Sequence, residues 1–478
     1  MKKIQPNILF LMVDQFQAAV LRPNHPCQTP HLKRLAEGGV RFDNAYTPNA
    51  ICSPARASLM TGLLPHSHGV LTVTHCVDDD QSVLRDRPHW AQRLSAAGYR
   101  TGYFGKWHVE RSEQLDRFGW QHTLRSKVKA CDEPSRQKES QPVLPRFSHV
   151  KNIQFPPGHK EYMLYGVTNQ LPEQRKMGTS TSAALEYLET VLLQDAPWCC
   201  FVSLLEPHDP FVAGEKAFSL YDVDRLPLAS NASDTLAGRP GLYRKAAQIF
   251  ADMSDHQKRE AAACYYASIT EIDAQYGRLI TKLEKTGELE NTIVVFTSDH
   301  GELLGAHGLY CKNVGAFEEV YNIPLILAGP GLARGQVSKA RVGLHDLCPT
   351  LLELAGLPPI GQPDSRSFAA AAKDPANNSK NFTTGYAEYS GTRYSYTQRI
   401  AWDGPWKFVL NGFDFDELYN LEEDPHELQN LAGVKENQEH VKHMMKLIWR
   451  RIRETGDHTL LNTDYPAVRL APYGPGIE

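Results

Sequence analysis

Short continuous apolar runs alternate with stretches of helical spacing through the first three quarters of the chain. Asn7 to Val13 is an apolar run bounded by Pro6 and Asp14, the pattern of a strand buried on both faces. Pro30 to Glu37 predicts a helix, with Thr29 at the N-cap, Pro30 at the first helical position and Gly38-Gly39 as the stop. Val40 to Phe42 predicts a short strand, Ser58 to Leu64 a helical segment, Pro88 to Ala97 a helix closed by Gly98, and Tyr99 to Phe104 a strand. Further on, Met177 to Leu193 and Arg259 to Leu283 read as helices, Trp198 to Leu204 and Thr292 to Ser298 as buried strands. This alternation argues for a mainly parallel sheet with helices on both faces.

The pattern lapses twice. Between about 111 and 176 the chain is polar and irregular, as in Arg125 to Lys129 and Arg136 to Glu139, and is expected to be a solvated or substrate-facing excursion. Gly361 to Asn381 reads as a linker. Beyond it, Tyr394 to Ile400, Trp406 to Leu410 and Phe415 to Tyr419 predict short antiparallel strands. A helix from Val434 to Thr455 follows, with Val441, Met444, Met445, Ile448 and Ile452 on one apolar face. The expected organisation is a catalytic α/β domain over 1–369 and a smaller C-terminal α+β subdomain over 370–478.

Composition narrows the function classes. The 478 residues carry 51 Lys+Arg against 55 Asp+Glu, a net charge of −4, which argues against a nucleic-acid binder held by a basic face. Nine cysteines, at 27, 52, 76, 131, 199, 200, 264, 311 and 348, lack paired C-x-x-C spacing, so neither a zinc ribbon nor a disulfide framework is expected. The run after Lys2-Lys3 ends at Asp14, too short for a secretory signal of about 7–15 apolar residues. No stretch reaches the roughly 18 apolar residues of a membrane span. A cytoplasmic setting is the expectation.

In open parallel α/β sheets, ligands collect beyond the carboxyl ends of the strands. Four predicted strands deliver acid, base and cation there: Asp14; Lys106 and His108; Glu206, His208 and Asp209; Asp299 and His300. Asp14 and Asp299, with Gln15 and His300 nearby, suit a divalent metal. Oxygen donors favour Ca²⁺, Mg²⁺ or Mn²⁺, and an imidazole shifts the preference toward Mn²⁺. The rival reading of the two aspartates is loop capping.

Cys52-Ser53-Pro54-Ala55-Arg56, continuing to Thr61-Gly62, is the most specific local feature. With Gly105-Lys106-Trp107-His108, Pro207-His208-Asp209-Pro210, Ser298-Asp299-His300-Gly301 and Lys312 in order, it resembles the formylglycine-dependent sulfatase family, and the likeness extends through Leu344-His345-Asp346 to the C-terminal Leu418 to Leu431 stretch. A helix opened by Pro54 sets Arg56 one turn from Cys52, on the same side, and points N–H groups at an anion. The resemblance implies an alkaline-phosphatase-like sandwich with a large mixed, mainly parallel sheet. It also implies that a maturation enzyme oxidises Cys52 to formylglycine (3-oxoalanine), and that the hydrated aldehyde attacks sulfur. The metal, with Ca²⁺ as the expected ion and Mn²⁺ or Mg²⁺ as alternatives, is held by Asp14, Gln15, residue 52, Asp299 and His300. Asp299 is the implied base for the attack. Arg56, Lys106 and Lys312 neutralise the sulfuryl oxygens, Lys106, His208 and Lys312 bind substrate, His208 and Lys312 protonate the leaving alcohol, and His108 takes the second hydroxyl's proton.

Each role has a bland rival: solvated lysines, or loop histidines satisfied locally. His75 is an open candidate for lining the pocket, His66 and His68 read as loop histidines, Asp273 as a buried helix-packing partner, and the eight other cysteines as packing residues. One departure is informative. Many sulfatases carry two adjacent aspartates after the first strand, whereas this chain has Asp14-Gln15 facing Asp299-His300, a less anionic set also found in the phosphonate monoester hydrolase and choline-sulfatase branches. Three functions follow: hydrolysis of an aryl or carbohydrate sulfate; hydrolysis of a phosphonate monoester or phosphodiester on the same site; or anion binding without turnover. The expected partners are a sulfated small molecule or oligosaccharide and the maturation enzyme, with no nucleic acid and no membrane. The oligomeric state is open.

Overall fold

The central strand has no solvent face. In the computed structural model, which describes residues 5–74, 87–112, 114–124, 144–312, 314–392, 394–460 and 467–477, β1 (Asn7–Val13) is buried along its whole length. Its side chains alternate between two cores. Ile8, Phe10 and Met12 pack with Leu59, Trp90 and Leu351, whereas Leu9, Leu11 and Val13 pack with Leu188, Ile272 and Leu279. A continuous apolar run is what a strand covered on both faces requires.

The other strands are β2 (Val40–Tyr46), β3 (Arg100–Gly105), β4 (His122–Thr123), β5 (Phe147–Ile153), β6 (Tyr162–Thr168), β7 (Trp198–Leu204), β8 (Phe211–Gly214), β9 (Thr292–Ser298), β10 (Leu325–Ala328), β11 (Gln336–Gly343), β12 (Thr384–Tyr389), β13 (Gln398–Asp403), β14 (Trp406–Asn411) and β15 (Glu417–Asn420). The main sheet runs β11-β2-β10-β9-β1-β7-β3-β4. It is mixed because β10 is antiparallel to β9 and β2, while its other pairings are parallel. Val13 lies level with Leu204 on one side and Ser298 on the other. The carboxyl ends of β7, β1 and β9 therefore finish together, and the polar residues after them share one rim.

A second, antiparallel sheet, β12-β13-β14-β15, is also sandwiched. Tyr386, Ala401, Phe408 and Leu410 meet Val441, Met444, Met445 and Ile448 of the helix Gln438–Thr455, and Ile400, Trp402 and Val409 meet Tyr46, Phe317 and Tyr321. The whole apolar stripe expected on that helix, Ile452 included, is buried.

Several expectations need correcting. The signature helix spans Cys52–Thr61 instead of Ser58 to Leu64; all ten residues are buried, so it has no amphipathic stripe to read. Within the polar stretch 111–176, the described residues include β4, β5 and β6, and β5 and β6 form a three-stranded sheet with β8. In β5 only Ile153 is buried, which leaves no hydrophobic period to mark the strand. Part of the linker folds as the short helices Ala369–Lys373 and Pro375–Asn378, anchored by buried Ala369, Ala371 and Ala372. The strand expected at Tyr394 to Ile400 begins at Gln398, and β10, β11 and β12 were not anticipated. Thr29 precedes the helix Pro30–Glu37 without capping it through its side chain. Asp273 does so from across the core, accepting from His31 N at 3.1 Å and Leu32 N at 2.7 Å. Among the described residues, no helix is long and apolar enough to cross a membrane.

His66 and His68 lie on a short helix, Pro65–His68, instead of a loop. His68 is held by Ser58 Oγ at 3.0 Å and Val70 N at 3.1 Å. His66 pairs through Nδ1 with Glu388 of β12, beside the buried Arg399–Asp457 ion pair at 2.8 Å. Burial pushes the His66 imidazole down, but the hydrogen bond and charge of Glu388, with Asp457 and Asp364, hold it above the ordinary 6.5. A raised folded-state pKa stabilises fully below the unfolded value and is lost as pH rises through the folded one. Thermal unfolding should therefore show a Tm that declines as pH climbs above about 6.5, and His66→Gln should flatten that slope. An unchanged slope in the variant would remove His66 as its source.

Candidate active site

The signature helix delivers one side chain that organises the rim. Arg56, 1% exposed, donates from Nε to Asp299 Oδ2 at 2.7 Å and from Nη2 to Asp14 Oδ2 at 3.2 Å. Its Nη1 reaches Ser203 Oγ at 2.8 Å and the Lys106 carbonyl at 2.9 Å. One guanidinium thus touches the ends of β1, β9, β7 and β3, using a donor fork that a lysine lacks. Burial opposes its charge, but Asp299 and Asp14 raise the guanidinium pKa above its ordinary value.

Asp14 also pairs with Lys106 Nζ, and Lys312 Nζ lies 3.9 Å from its Oδ1. Burial and Cys52 push its carboxyl up, yet Lys106, His208 and Lys312 together hold it well below the usual carboxylate range. Asp299 Oδ1 accepts from the backbone N of Gln15 at 3.2 Å and of His300 at 3.0 Å. His300 Nδ1 donates to the Gly301 carbonyl at 3.0 Å, which turns Nε2 toward Cys52 Sγ at 3.3 Å and Asp14 Oδ1 at 3.5 Å.

Gln15 is fixed at each polar atom. Its carbonyl accepts from Tyr265 Oη at 2.6 Å, its Oε1 accepts from Lys312 Nζ at 2.6 Å, and its Nε2 donates to Asp209 Oδ1 at 3.0 Å and Glu302 Oε2 at 2.5 Å. Lys312 also donates to His208 Nε2 at 2.7 Å, because His208 Nδ1 is spent on the Asp209 carbonyl at 2.7 Å. Burial lowers the Lys312 ammonium, and Cys52, Asp14 and Asp209 more than reverse it. Side-chain exposure grades from 0% at Asp14 through 6% at Lys312 and 14% at Lys106 to 21% at His208, so solvent reaches the site from the His208 and Lys106 side.

Cys52 behaves unlike the other cysteines. Burial pushes the thiols of Cys27, Cys199, Cys200, Cys264 and Cys348 up, as expected of packing residues. Burial acts on Cys52 too, but the charges of Lys106, Lys312 and His300 and a hydrogen bond with His108 hold it well below the ordinary thiol value. Cys311 is buried and in no disulfide, and Cys76 and Cys131 lie outside the described residues. Burial keeps His108 below the usual imidazole value, and therefore neutral.

One donor atom from each of Asp14, Cys52, Asp299 and His300 lies within 4.8 Å of the others, all four residues buried. Two carboxylates and an imidazole whose free nitrogen is aimed by a backbone hydrogen bond fit a divalent cation. Cys52 stands where the oxygens of an oxidised residue 52 would complete the set. Gln15 sits beside this group, with its amide oxygen on Lys312.

Every described residue to which the resemblance gives a role falls in this cluster: Asp14, Gln15, Cys52, Arg56, Lys106, His108, His208, Asp299, His300 and Lys312. His75 lies outside the described residues. Ser203, Tyr265 and Glu302 join the cluster beyond expectation, and Asp209, expected at the rim, takes Gln15 as its partner. Asp209 lies inside a motif and Glu302 directly follows one, but spacing does not say which acid faces which partner. Gln15 and His108 have left-handed φ of 63° and 53°, a strain that concentrates at functional sites. Removing Arg56 leaves two buried carboxylates without their shared countercharge. Arg56→Met should lower the unfolding free energy by about 3–5 kcal/mol in denaturant titration; a loss below about 1 kcal/mol would mean that the bridge is not what holds the rim.

Residues 6–357 match the sulfatase family, and residues 305–454 match the family described as N-sulphoglucosamine sulphohydrolase, C-terminal. The choline-sulfatase of Rhizobium meliloti (strain 1021) is 31% identical over 446 residues, covering 90% of this chain and 82% of that protein. A phosphonate monoester hydrolase from Silicibacter pomeroyi has the same fold at TM-score 0.76 and 23% identity, covering 95% of this chain and 97% of its own. So does a protein solved in complex with its substrate D-glucosamine-2-N,6-O-disulfate, at TM-score 0.75 and 22% identity, covering 95% and 99%. The alkaline-phosphatase-like sandwich, the ordered motifs and the match over most of the length lead to one conclusion: this chain belongs to the sulfatase family, the sulfuric ester hydrolases.

Proposed function

We propose that the chain hydrolyses a sulfate monoester of an aryl or carbohydrate alcohol to the alcohol and inorganic sulfate. The observation that carries this reading is the convergence of Arg56, Lys106 and Lys312 on a buried Cys52 that shares its cage with Asp14, Asp299 and His300. Three cations around two carboxylates favour a bound oxyanion. A divalent cation, Ca²⁺ or else Mn²⁺ or Mg²⁺, and the formylglycine that a maturation enzyme makes from Cys52 supply what these side chains lack: Lewis-acid charge and a hydroxyl nucleophile from the hydrated aldehyde.

The chain's own groups do the rest. Asp14, Asp299 and His300, with Gln15 beside them, would hold the cation, and Asp299 is the base for the hydroxyl of residue 52. Lys106 and Lys312, with Arg56 behind them, hold the sulfuryl oxygens. These donors are already oriented, so they strengthen as charge redistributes without any cost of reorganisation. The Lys312–His208 pair, with its short Nζ···Nε2 contact, passes a proton to the leaving oxygen on the side where solvent enters. His108, neutral and hydrogen-bonded to residue 52, accepts the second hydroxyl's proton and so releases sulfate.

The amide at position 15 and the imidazole at 300 lower the negative charge of the set, which favours a second reading, a phosphonate monoester hydrolase. The protein should be produced with a formylglycine-generating enzyme, residue 52 verified by peptide mass, and kcat/KM measured on matched aryl sulfate and aryl phosphonate monoesters. The sulfate should be preferred, and Cys52→Ala should lose at least about 10³-fold. A preference for the phosphonate would install the second reading; an unmodified Cys52 with no turnover would leave an anion-binding protein. Chelation should abolish turnover of the matured protein, and restored divalent cation should return it; activity indifferent to chelation would remove the cation from the proposal.

A further inference from the structure

Glu302 has no solvent contact and lies beside the cation cage. Its Oε1 accepts from Leu304 N at 2.8 Å and Cys311 N at 2.6 Å, and its Oε2 accepts from Gln15 Nε2. All three donor residues carry left-handed backbone, with φ of 45°, 63° and 63° for Leu304, Cys311 and Gln15. Such geometry persists where surrounding bonds over-determine it, and Glu302 is a bond common to all three. Leu303 N bonds the Cys311 carbonyl at 3.1 Å, closing the loop whose next residue is Lys312.

We propose that Glu302 is a positioning residue that joins the Lys312 loop to the end of β1 and dictates which way the Gln15 amide points. The reasoning is a donor and acceptor count. An amide nitrogen has two hydrogens and its oxygen has none. Glu302 and Asp209 face the Gln15 side chain on one side as two acceptors, and Lys312 faces it on the other as a donor. Reversing the amide would set its oxygen against two carboxylates and its nitrogen against an ammonium. Position 15 must therefore donate to its outer neighbours, which a carboxylate cannot do. The acceptors that position 15 requires lie one layer out, on Glu302 and Asp209. This inference rests on the proposed hydrolase reading for the role of Lys312, but not on the identity of the ester.

Two variants test it on the matured, cation-loaded enzyme. In Glu302→Gln the amide at 302 can satisfy either the two backbone N–H groups or Gln15, never both, so kcat should fall about 10–100-fold with a smaller change in KM. A crystal structure of the variant should show Gln15 turned away from Lys312 or Lys312 displaced. Gln15→Glu adds a carboxylate that a simple cation-ligand role would tolerate; here it opposes Glu302 and Asp209, and kcat should fall comparably. The double variant Gln15→Glu/Glu302→Gln restores one donor–acceptor pair across the layer and should be less impaired than the product of the single losses. Should Glu302→Gln fail to fold, Gln15→Glu still decides: wild-type kcat there overturns the proposal, as do single losses that simply multiply or an unmoved Gln15–Lys312 contact. If the wild-type enzyme prefers phosphonate esters, the same comparisons on that substrate test the positioning role after the sulfate reading has failed.

Discussion

The rim of the sheet depends on the pairing of Arg56 with Asp14 and Asp299. Parallel strands brought into register place two carboxylates at neighbouring ends, and burial makes each of them costly unless countercharged. A single planar guanidinium on a buried helix answers both and reaches Ser203 and the Lys106 carbonyl besides. The signature helix is thereby tied to four strands through one side chain. Lys106 and Lys312 crowd the same carboxylate, and with His208 they hold Asp14 ionised.

Around this bridge, local preference repeatedly yields to site geometry. Gln15, His108 and Cys311 adopt left-handed backbone that non-glycine residues avoid. A thiol that burial alone would neutralise is drawn toward its anion by surrounding cations. Elsewhere the chain follows ordinary rules: the thiols of Cys27, Cys199, Cys200, Cys264 and Cys348 are pushed up, Asp273 finds two backbone donors, and the C-terminal helix buries its whole stripe. Departures from local consistency that gather at one place are characteristic of functional sites.

Legibility in the sequence follows from the same contrast. Strands buried on both faces are unbroken apolar runs, so β1, β7 and β9 were readable to the residue, and the charged groups after them marked the rim. The C-terminal helix was readable because one face is wet. The signature helix was misplaced since it is buried all round, and β5 was missed since almost all of it is exposed; neither shows a period. Nine of the expected site residues are neighbours in space because they lie beside strand ends or on the signature helix, and Lys312 joins them from the loop after β9. Glu302 carries no mark in the sequence, and neither does the partner of Asp209, since both depend on which hydrogen-bonding atom the acid faces, a matter of orientation that residue type and spacing do not encode. Asp273 capping a helix more than two hundred residues away is equally silent in one dimension.

The complete burial of the helix Cys52–Thr61 has an evolutionary corollary. With no residue on solvent, no position along it can drift toward a new substrate without first disturbing the packing of two layers. Change is less costly where side chains meet solvent, as along β5, where only Ile153 is buried, and around the partly exposed His208. The buried floor and the exposed rim of this sheet can then change at different rates.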